Sequence, residues 1–490
     1  MSMTLAQYLK KFPSGERFVL ATIDPDGTPI RLADAPYVSE PTDTPANALF
    51  APVIDTLPRL ARTVRGKWGG GATGSWGPLV LATSRVGEVD LATTALKGKR
   101  IVLQLAGPAG TVPLSGAETI LTGYIRGRSG TLDGAFSLEL KDRSLLLDST
   151  AVLNRFDASA MGVNFPEAND GKPIPLALGL LRNVESPVID TTDHTRLVSD
   201  PARGQINDVL HVYNNGRAVG FTKDLANNTY TPTVVPVDGE VVTADIEGVK
   251  DASGSFVSSH TDMMTWLLSE IGGLSGAEID IGGLPSDAAG LLINTETTLT
   301  QVLDQLAQSV LAVWHFTRGD VFRCRLIQAP SAGGRTFGEQ LQLGEVSWGD
   351  DEEVFYSIPY RYARNWTVLD KLGAVATVDD EIWFRSAGSE SAVTDNTILT
   401  NYIDARTAPM IETLFANKAP AEAVATRGLA LYGTLRRNAK LTPPFTSPAL
   451  SLLDSIALTG AEHLNGDSLV VTLNEDFGAE TPLVEMEVWR

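Results

Sequence analysis

The sequence has 490 residues and a mass of 52.3 kDa, which is too long for one typical hydrophobic core and predicts two to four domains. Hydrophobic residues make up 43% and charged residues 20% of the chain, a globular composition that argues against disorder. The formal net charge of −20 repels phosphate backbones and anionic lipid, so neither a nucleic-acid grip nor a membrane-surface helix is expected.

Residues 1–155 predict a first β-barrel or sandwich. A short helix is expected over residues 4–12, ending at Pro13-Ser14-Gly15, and Asp24-Pro25-Asp26-Gly27 supplies the turn of the hairpin that follows. Short β-favouring segments separated by turn residues predict strands at 18–23, 28–32, 79–83, 100–105, 119–126 and 135–140. A short helix near 141–147 could close this unit, whereas the stretch 34–76, rich in Pro, Thr and Ala, is difficult to assign.

Two inserted units are predicted next. Residues 156–250 predict a small β domain, with strands at 176–182, 209–213 and 234–246. Residues 251–335 predict an α+β domain, in which helical spacing runs from Ser259 to Ile271. Thr298 and Gln301 form a capping-box pair, and the apolar spacing after them extends the second helix to Trp314, before a strand at 321–326.

Residues 336–490 predict a second β-barrel-like domain with a helix near 420–437, where Pro420 lies in the first turn. Its strands are expected at 358–362, 366–369, 382–385, 455–459, 468–473 and 483–489. The fold class expected is therefore mainly β with an inserted α+β module, in which two β-barrel-like domains flank the inserted domains.

Motifs that could carry chemistry have simpler interpretations. Gly69-x-Gly71-x-x-Gly74 formally matches the dinucleotide fingerprint, but the Ser75-Trp76-Gly77-Pro78 that follows opens a helix poorly, so a flexible loop is expected. The run of four carboxylates over residues 350–353 lacks the alternating spacing of a calcium loop and predicts a solvated acidic loop. Asp24 and Asp26 are interpreted as residues of a turn in preference to metal ligands or a glycosidase pair.

The single cysteine excludes an intramolecular disulfide and any cysteine-rich metal site within one chain. On a strand, Cys324 would share the core face with Phe322 and Leu326, which predicts a buried, inert thiol. The five isolated histidines predict structural or surface roles; they are His194, His211, His260, His315 and His463. We therefore expect no catalytic residue, cofactor or metal site, and a chain that is not an enzyme.

Several segments, in chain order, resemble the tail-tip or baseplate hub proteins of long-tailed bacteriophages. The segments that carry this resemblance are Gly77–Asp90, Gly98–Leu103, Leu121–Ile125, Gly171–Gly179, Val209–Gly216, Tyr360–Val368 and Leu452–Thr459. They are turn-and-strand patterns rather than catalytic signatures, and together they span most of the chain.

The resemblance implies a structural virion protein in which two similar barrels lie in one chain. Three chains would form a homotrimeric ring with pseudo-sixfold symmetry, which adapts the sixfold tail tube to threefold tip components and lines the DNA channel. The implied partners are the tail tube or distal tail protein, the tape measure protein and tail fibre or other tip proteins. It also implies a place at the distal end of the tail after synthesis in the bacterial cytoplasm, without specific nucleic-acid binding.

Two alternatives stay open from the residues alone. A receptor- or carbohydrate-binding tip protein would need exposed aromatic side chains over a shallow cleft, for which Trp68, Trp76 and Trp383 are candidates. A cell-wall glycosidase would need a pair of Asp or Glu residues, and no pair stands out. No stretch approaches the 18 apolar residues of a membrane span, and no secretory signal pattern is recognised at the N-terminus.

Overall fold

The computed structural model describes residues 3–12, 15–24, 27–130, 134–152, 154–237, 239–332, 334–338, 347–373, 377–443, 450–459, 466–478 and 483–490. Strands dominate this part of the chain, which confirms the expected mainly β class with helices concentrated in the middle and later regions. The predicted turn at Pro25-Asp26, the Pro13-Ser14 helix end and His463 lie outside the described residues.

Most strands of the first region belong to one large sheet. Its elements are α1 (Leu5–Lys11), β1 (Phe18–Ile23), β2 (Ile30–Ala33), β3 (Tyr37–Val38), β4 (Leu49–Pro52), β5 (Ile54–Thr56), β6 (Arg59–Thr63), β7 (Gly70–Gly71), β8 (Thr73–Trp76), β9 (Leu79–Leu81), β10 (Arg85–Val86), β11 (Val89–Asp90), β12 (Arg100–Ala106), β13 (Glu118–Gly130) and β14 (Phe136–Lys141). Nine strands form the first sheet, in the order β3-β4-β2-β1-β12-β13-β14-β9-β5. The alternation in β12 buries Ile101, Leu103 and Leu105 in the core of this sheet, as a period of two requires.

The middle of the chain combines four helices with strands of three smaller sheets. Its elements are α2 (Ser144–Leu147), α3 (Ala158–Met161), β15 (Leu176–Val184), β16 (Arg196–Leu197), β17 (Ile206–Asn214), β18 (Arg217–Val219), β19 (Phe221–Asp224), β20 (Thr229–Pro232), β21 (Val242–Val249), α4 (His260–Trp266), β22 (Ile279–Ile281), β23 (Gly290–Ile293), α5 (Leu299–Gln308), β24 (Ala312–Phe316) and β25 (Phe322–Leu326). A five-stranded sheet has the order β18-β17-β21-β15-β23, β16-β20-β19 form a separate one, and a third has the order β22-β25-β24-β7. Helices α4 and α5 pack their buried faces into a central core with β24 and β25.

Elements of the last region pack partly in the central core and partly in a separate last sheet. Its elements are β26 (Arg335–Gly338), β27 (Ser347–Asp351), β28 (Phe355–Tyr362), α6 (Val378–Phe384), β29 (Ser389–Thr394), α7 (Ile398–Asn401), β30 (Arg406–Thr407), β31 (Ile411–Glu412), α8 (Lys418–Tyr432), β32 (Arg437–Leu441), β33 (Ser455–Thr459), β34 (Gly466–Asp476) and β35 (Leu483–Trp489). Strand β28 and helix α8 pack into the central core. The last sheet has the order β26-β33-β34-β35-β32-β27 and encloses a core of its own.

Four sequence-based assignments differ from the structure. The helix expected to reach Trp314 ends at Gln308, and Trp314 lies on β24, because a continuous buried apolar run satisfies a strand as well as a helix. Residues 382–385 lie largely in α6, which begins with a Thr377–Asp380 capping box, and not in a strand. Residues 366–369 form no strand, and neither do the described residues 234–237 and 239–241.

Candidate functional site

One hairpin joins the first sheet to the last sheet. Residues 57–78 leave the first sheet between β5 and β9, and their strand β6 pairs antiparallel with β34, from Thr63 opposite Thr472 to Arg59 opposite Asp476. Strand β8 completes the hairpin by pairing with β6. The stretch that the sequence left unassigned is therefore, in its second half, the physical connection between the two sheets.

Apolar side chains secure this connection from both directions. Leu60 of β6 is buried in the core of the first sheet, and Phe477, directly after β34, is buried in the same core. Val64 continues from β6 and packs against both the central core and the core of the last sheet, and its amide donates to the carbonyl of Val471 at 2.9 Å. Each sheet thus contributes a side chain or a strand to its neighbour, which resists independent movement of the two sheets.

A buried ionic cluster lies at the centre of the junction. Arg62 Nη2 donates to Glu475 Oε2 at 3.0 Å, and the Arg318 guanidinium donates to the other oxygen of the same carboxylate. The Arg62 and Glu475 side chains are only 5% and 2% exposed. Burial, reinforced by the charge of Arg318, lowers the pKa of Arg62 to about 10, whereas Glu475 opposes this shift.

Arg318 connects a third part of the chain to this junction. It lies in the turn between β24 and β25, its backbone carbonyl accepts from the Thr122 amide at 2.8 Å, and its Nη1 donates to the Ile120 carbonyl at 3.3 Å. These two bonds fix the turn on β13 of the first sheet. The Arg62–Glu475–Arg318 cluster therefore joins the first sheet, the last sheet and the central core at one point.

A second polar cluster reinforces the same turn. Tyr124 OH on β13 donates to Asp320 Oδ2 at 3.0 Å, and Arg143 Nη1 lies 3.6 Å from that oxygen. Arg143 also pairs with Glu278, and this bond, with help from Ser275, lowers the pKa of Glu278 to about 2. Burial raises the pKa of Asp320, which Arg143 partly offsets. The central core is thus attached to the first sheet by two separate sets of polar contacts.

The glycine motif has a packing role rather than the loop conformation expected for it. Gly70 and Gly71 form β7, which pairs in parallel with β24, and Gly71 N donates to Asp304 Oδ1 at 2.6 Å. A Cβ atom at Gly69 would lie 2.5 Å from the Ala312 carbonyl oxygen, so side chains are excluded by close backbone contact. The next element is strand β8, and a helix N-terminus that could receive a pyrophosphate is missing from this segment.

The carboxylates of the acidic run have separate basic partners. Asp351 pairs with Arg437, and this bond lowers the pKa of Asp351. Glu352 lies 3.1 Å from Lys67 Nζ and accepts from Trp489 Nε1, also at 3.1 Å. Glu353 Oε1 lies 3.3 Å from Arg406 Nη1. Because these three carboxylates are directed to different places, they do not converge on a cation.

The cysteine and histidines are likewise dispersed. Cys324 is buried as predicted, and burial raises the pKa of its thiol to about 12, while the neighbouring arginines pair with Asp280. His260 and His315 are buried, and burial lowers the pKa of each to about 3. His194 is half-buried and His211 is exposed. Within the part of the chain that the structure describes, no cluster of three or more His, Cys, Asp or Glu side chains could hold a metal ion.

The three candidate tryptophans do not form a common binding surface. Trp68 packs on Tyr432 and Phe355, with ring centroids 4.8 and 5.7 Å apart, and Trp76 packs against the core of the first sheet. Trp383 packs edge-on against Phe384 in a cleft elsewhere. No helix in the described ranges has the length and apolar character needed to cross a bilayer.

The contacts that hold the junction could not be found from the sequence. Arg62 and Glu475 are 413 positions apart, and neither belongs to a motif. The available signal is weak: each is a charged residue at an inward position of a strand, where an apolar residue is the norm.

Comparison with solved structures finds tail proteins that resemble this chain at low sequence identity. It is similar in fold to a 43 kDa tail protein of prophage MuSo2 from Shewanella oneidensis, with 10% identity and a TM-score of 0.41 over 96% of this chain and 98% of that one. A tail protein from Neisseria meningitidis aligns with 9% identity and a TM-score of 0.45 over 96% of both chains. A prophage tail protein from Listeria monocytogenes aligns with 9% identity and a TM-score of 0.42 over 96% of this chain and 94% of that one. No protein-family model and no curated protein matches the sequence.

Proposed function

We propose that this chain is a structural protein of the phage virion that forms the trimeric hub of a tail tip or baseplate. In this role it adapts the sixfold tail tube to threefold components at the tip and surrounds the channel through which DNA leaves. The observation that carries the proposal is the presence of two sheets of related construction, fixed to each other by the β6–β8 hairpin and its buried ionic cluster.

The two sheets are built around comparable three-stranded meanders. In the first sheet β12, β13 and β14 follow one another, and in the last sheet β33, β34 and β35 do the same. The middle strand is the longest in each, with 13 residues in β13 and 11 in β34. Each middle strand also shifts register against the strand that follows, after Ile125 in one and after Val470 in the other. Two such units in one chain would give a trimer six near-equivalent faces.

A ring that matches two symmetries needs its two faces held at a fixed angle within each subunit. A closed trimer repeats one heterologous interface until it returns to the start, so an error in the angle between the sheets would accumulate around the ring. The shared strand pairing and the buried Arg62–Glu475–Arg318 cluster supply that rigidity. The order of the sequence segments that resemble tail-tip hubs supports the same role.

The partners in this proposal are two further copies of the chain, the tail tube or distal tail protein, the tape measure protein, and fibre or other tip proteins. The proposed location is the distal end of the tail, and the proposed contribution is geometrical, without a reaction catalysed by the chain. The net charge of −20 would suit a channel wall, because like charge discourages DNA from adhering during passage.

Cryo-electron microscopy of particles that carry an affinity-tagged copy of this chain tests the proposal. We expect three copies around the tube axis, with both sheets of each copy facing the sixfold tube and acidic side chains on the lumen. A peripheral position, or a copy number that does not match threefold symmetry, would refute the hub. Binding on a glycan array would favour a receptor-binding tip protein instead, and release of sugar from cell walls would favour a glycosidase.

A further inference from the structure

A cleft in the middle of the chain has a chemical character that the hub role does not explain. Its volume is about 500 Å³, and it opens beside the end of β15 and strand β16. The residues that give it this character are Asn169, Lys172, Glu185, Ser186, His194 and Arg196. A cleft of this size accommodates a small molecule or a group of monosaccharide to disaccharide size.

Arg196 is the main feature of the cleft. It is only 7% exposed, and its Nη1 donates to the Ser186 carbonyl at 2.7 Å. Its Nε has no hydrogen-bond partner, and it forms no ion pair with a carboxylate among the residues that the structure describes. A buried guanidinium without an opposite charge is unfavourable, because burial removes the water that would stabilise it and nothing replaces that water.

Two buried hydroxyl groups lie near this guanidinium. Tyr230 stands opposite Arg196 in the pairing of β16 with β20, so the two side chains lie on one face. The hydroxyl groups of Tyr230 and Ser186 are buried and lie within reach of each other, and neither has another hydrogen-bond partner within the described structure. Burial raises the pKa of Tyr230 to about 12, so its hydroxyl keeps its proton near neutral pH. The unpartnered Nε of Arg196 therefore lies near two buried hydroxyl groups that have only each other as partners.

Other residues that line the cleft also favour a negatively charged ligand. Lys172 lines the cleft as an exposed residue, with its Nζ 3.2 Å from Asn169 Oδ1, and His194 lines it as a half-buried residue. Glu185 is the one acidic residue among those that line the cleft, and it is exposed. In a chain with a net charge of −20, a cleft lined by Arg196, Lys172 and His194 stands out as a place that attracts anions.

We propose that this cleft binds an oxyanion, a phosphate or a carboxylate, carried by a ligand of about monosaccharide size. The guanidinium of Arg196 pairs with the oxyanion from inside the cleft, and Lys172 meets the ligand at the rim. Arginine suits this role because its planar donors match the two oxygens of a carboxylate or phosphate. The remaining volume of the cleft receives the uncharged part of the ligand. This site is independent of the hub assembly.

Isothermal titration calorimetry on the full chain tests the proposal with four probes: inorganic phosphate, glucose 1-phosphate, glucuronate and glucose. We expect one site per chain for the phosphate ester or glucuronate, and no heat for glucose. Inorganic phosphate distinguishes a requirement for the oxyanion alone from a requirement for the sugar as well. A crystal soaked with the tighter probe should show its oxyanion beside Arg196.

Three variants locate the site. Arg196→Met removes the charge and keeps the length of the side chain, and should weaken binding at least about tenfold, the effect of losing one charge-assisted contact. Lys172→Gln lies on the surface, should fold normally and should weaken binding about two- to fivefold. Arg406→Gln removes one positive charge from an exposed pair with Glu353 and should leave affinity unchanged.

Each possible outcome either supports or overturns the proposed oxyanion site. Binding that falls with Lys172→Gln but not with Arg406→Gln supports the site even if Arg196→Met does not fold. Absence of binding by all anionic probes at millimolar concentration would overturn it, as would binding that is indifferent to both cleft variants. Crystal density that shows ordered water alone beside Arg196, in the presence of saturating probe, would also overturn it.

Discussion

Replacement of Glu475 by glutamine is the most informative perturbation of the junction. The change keeps the volume of the side chain but removes the negative charge between Arg62 and Arg318. Both guanidinium groups would then stay buried, close to each other and without the shared carboxylate. Because Arg318 already lowers the pKa of Arg62, the loss of Glu475 leaves a repulsion that the smaller attraction of Asp142 offsets only in part.

The structure permits an estimate of the cost. Removal of one partner from a buried, hydrogen-bonded ion pair destabilises a protein by about 3–5 kcal/mol, which is a large part of the total of about 5–15 kcal/mol for a typical domain. The next residue provides a matched control. Asp476 pairs with Arg59 at 2.8 Å on the same two strands, but the Arg59 side chain is 82% exposed. Asp476→Asn should therefore cost no more than about 1 kcal/mol.

Urea unfolding and hydrogen exchange measure this difference. We expect a clear fall in the urea midpoint for Glu475→Gln and faster exchange at the amides of residues 60–64, where β6 pairs with β34. Asp476→Asn should change neither by a comparable amount. If the two variants lose the same stability, or if exchange in β6 is unaffected by Glu475→Gln, the buried cluster does not hold the two sheets together and the reasoning fails.

Three further predictions concern backbone contact, a buried network and acid sensitivity. Gly69→Ala should destabilise the chain by about 2–4 kcal/mol, because φ is +90° and the new Cβ would meet the Ala312 carbonyl oxygen, whereas Gly66→Ala, with φ +89° and open space, should cost about 1 kcal/mol; chemical denaturation distinguishes them. Asn365→Ala should cost about 2–4 kcal/mol, since the Asn365 amide donates to three carbonyl oxygens and its oxygen accepts from Asn183; thermal unfolding that stays at the wild-type midpoint would contradict this. His260 has a pKa of about 3 when folded and about 6.5 when unfolded, so the unfolded chain binds the extra proton and stability should fall by about 1.4 kcal/mol per pH unit as pH decreases through that range. His260→Gln should flatten this slope in urea titrations between pH 6 and about 4, and an unchanged slope would show that His260 does not contribute.

Elements fixed by local sequence were predicted well. The strands over Phe18–Ile23, Ser455–Thr459 and Leu483–Trp489 begin and end where the sequence predicts. In each segment the β-favouring residues give way to residues that do not continue the pattern. The capping box at Thr298 likewise marks the true start of α5. In these segments, residues that are close in the sequence are sufficient to specify the element.

Elements decided by distant contacts were predicted less well. The predicted end of α5 lies six residues too late, since Val313 and Trp314 belong to β24, which pairs with β25 and with β7. Gly70 and Gly71 were expected in a loop because their strand partner, β24, lies more than 240 positions further along the chain. Apolar periodicity records that a residue is buried but does not record which partner buries it.

By itself, the sequence determined that the chain is mainly β, where several of the longer strands and helix α5 begin, and that the cysteine is buried. These features can be recognised in the sequence because burial imposes a regular spacing of apolar residues and helix caps require particular residue types. Tertiary structure alone decided that residues 59–63 join the last sheet, that Arg62, Arg318 and Glu475 share one buried site, and that none of the described carboxylates pairs with Arg196 in its cleft. The physical reason is that the energy of a buried charge depends on the groups packed around it. Here remote parts of the chain contribute those groups.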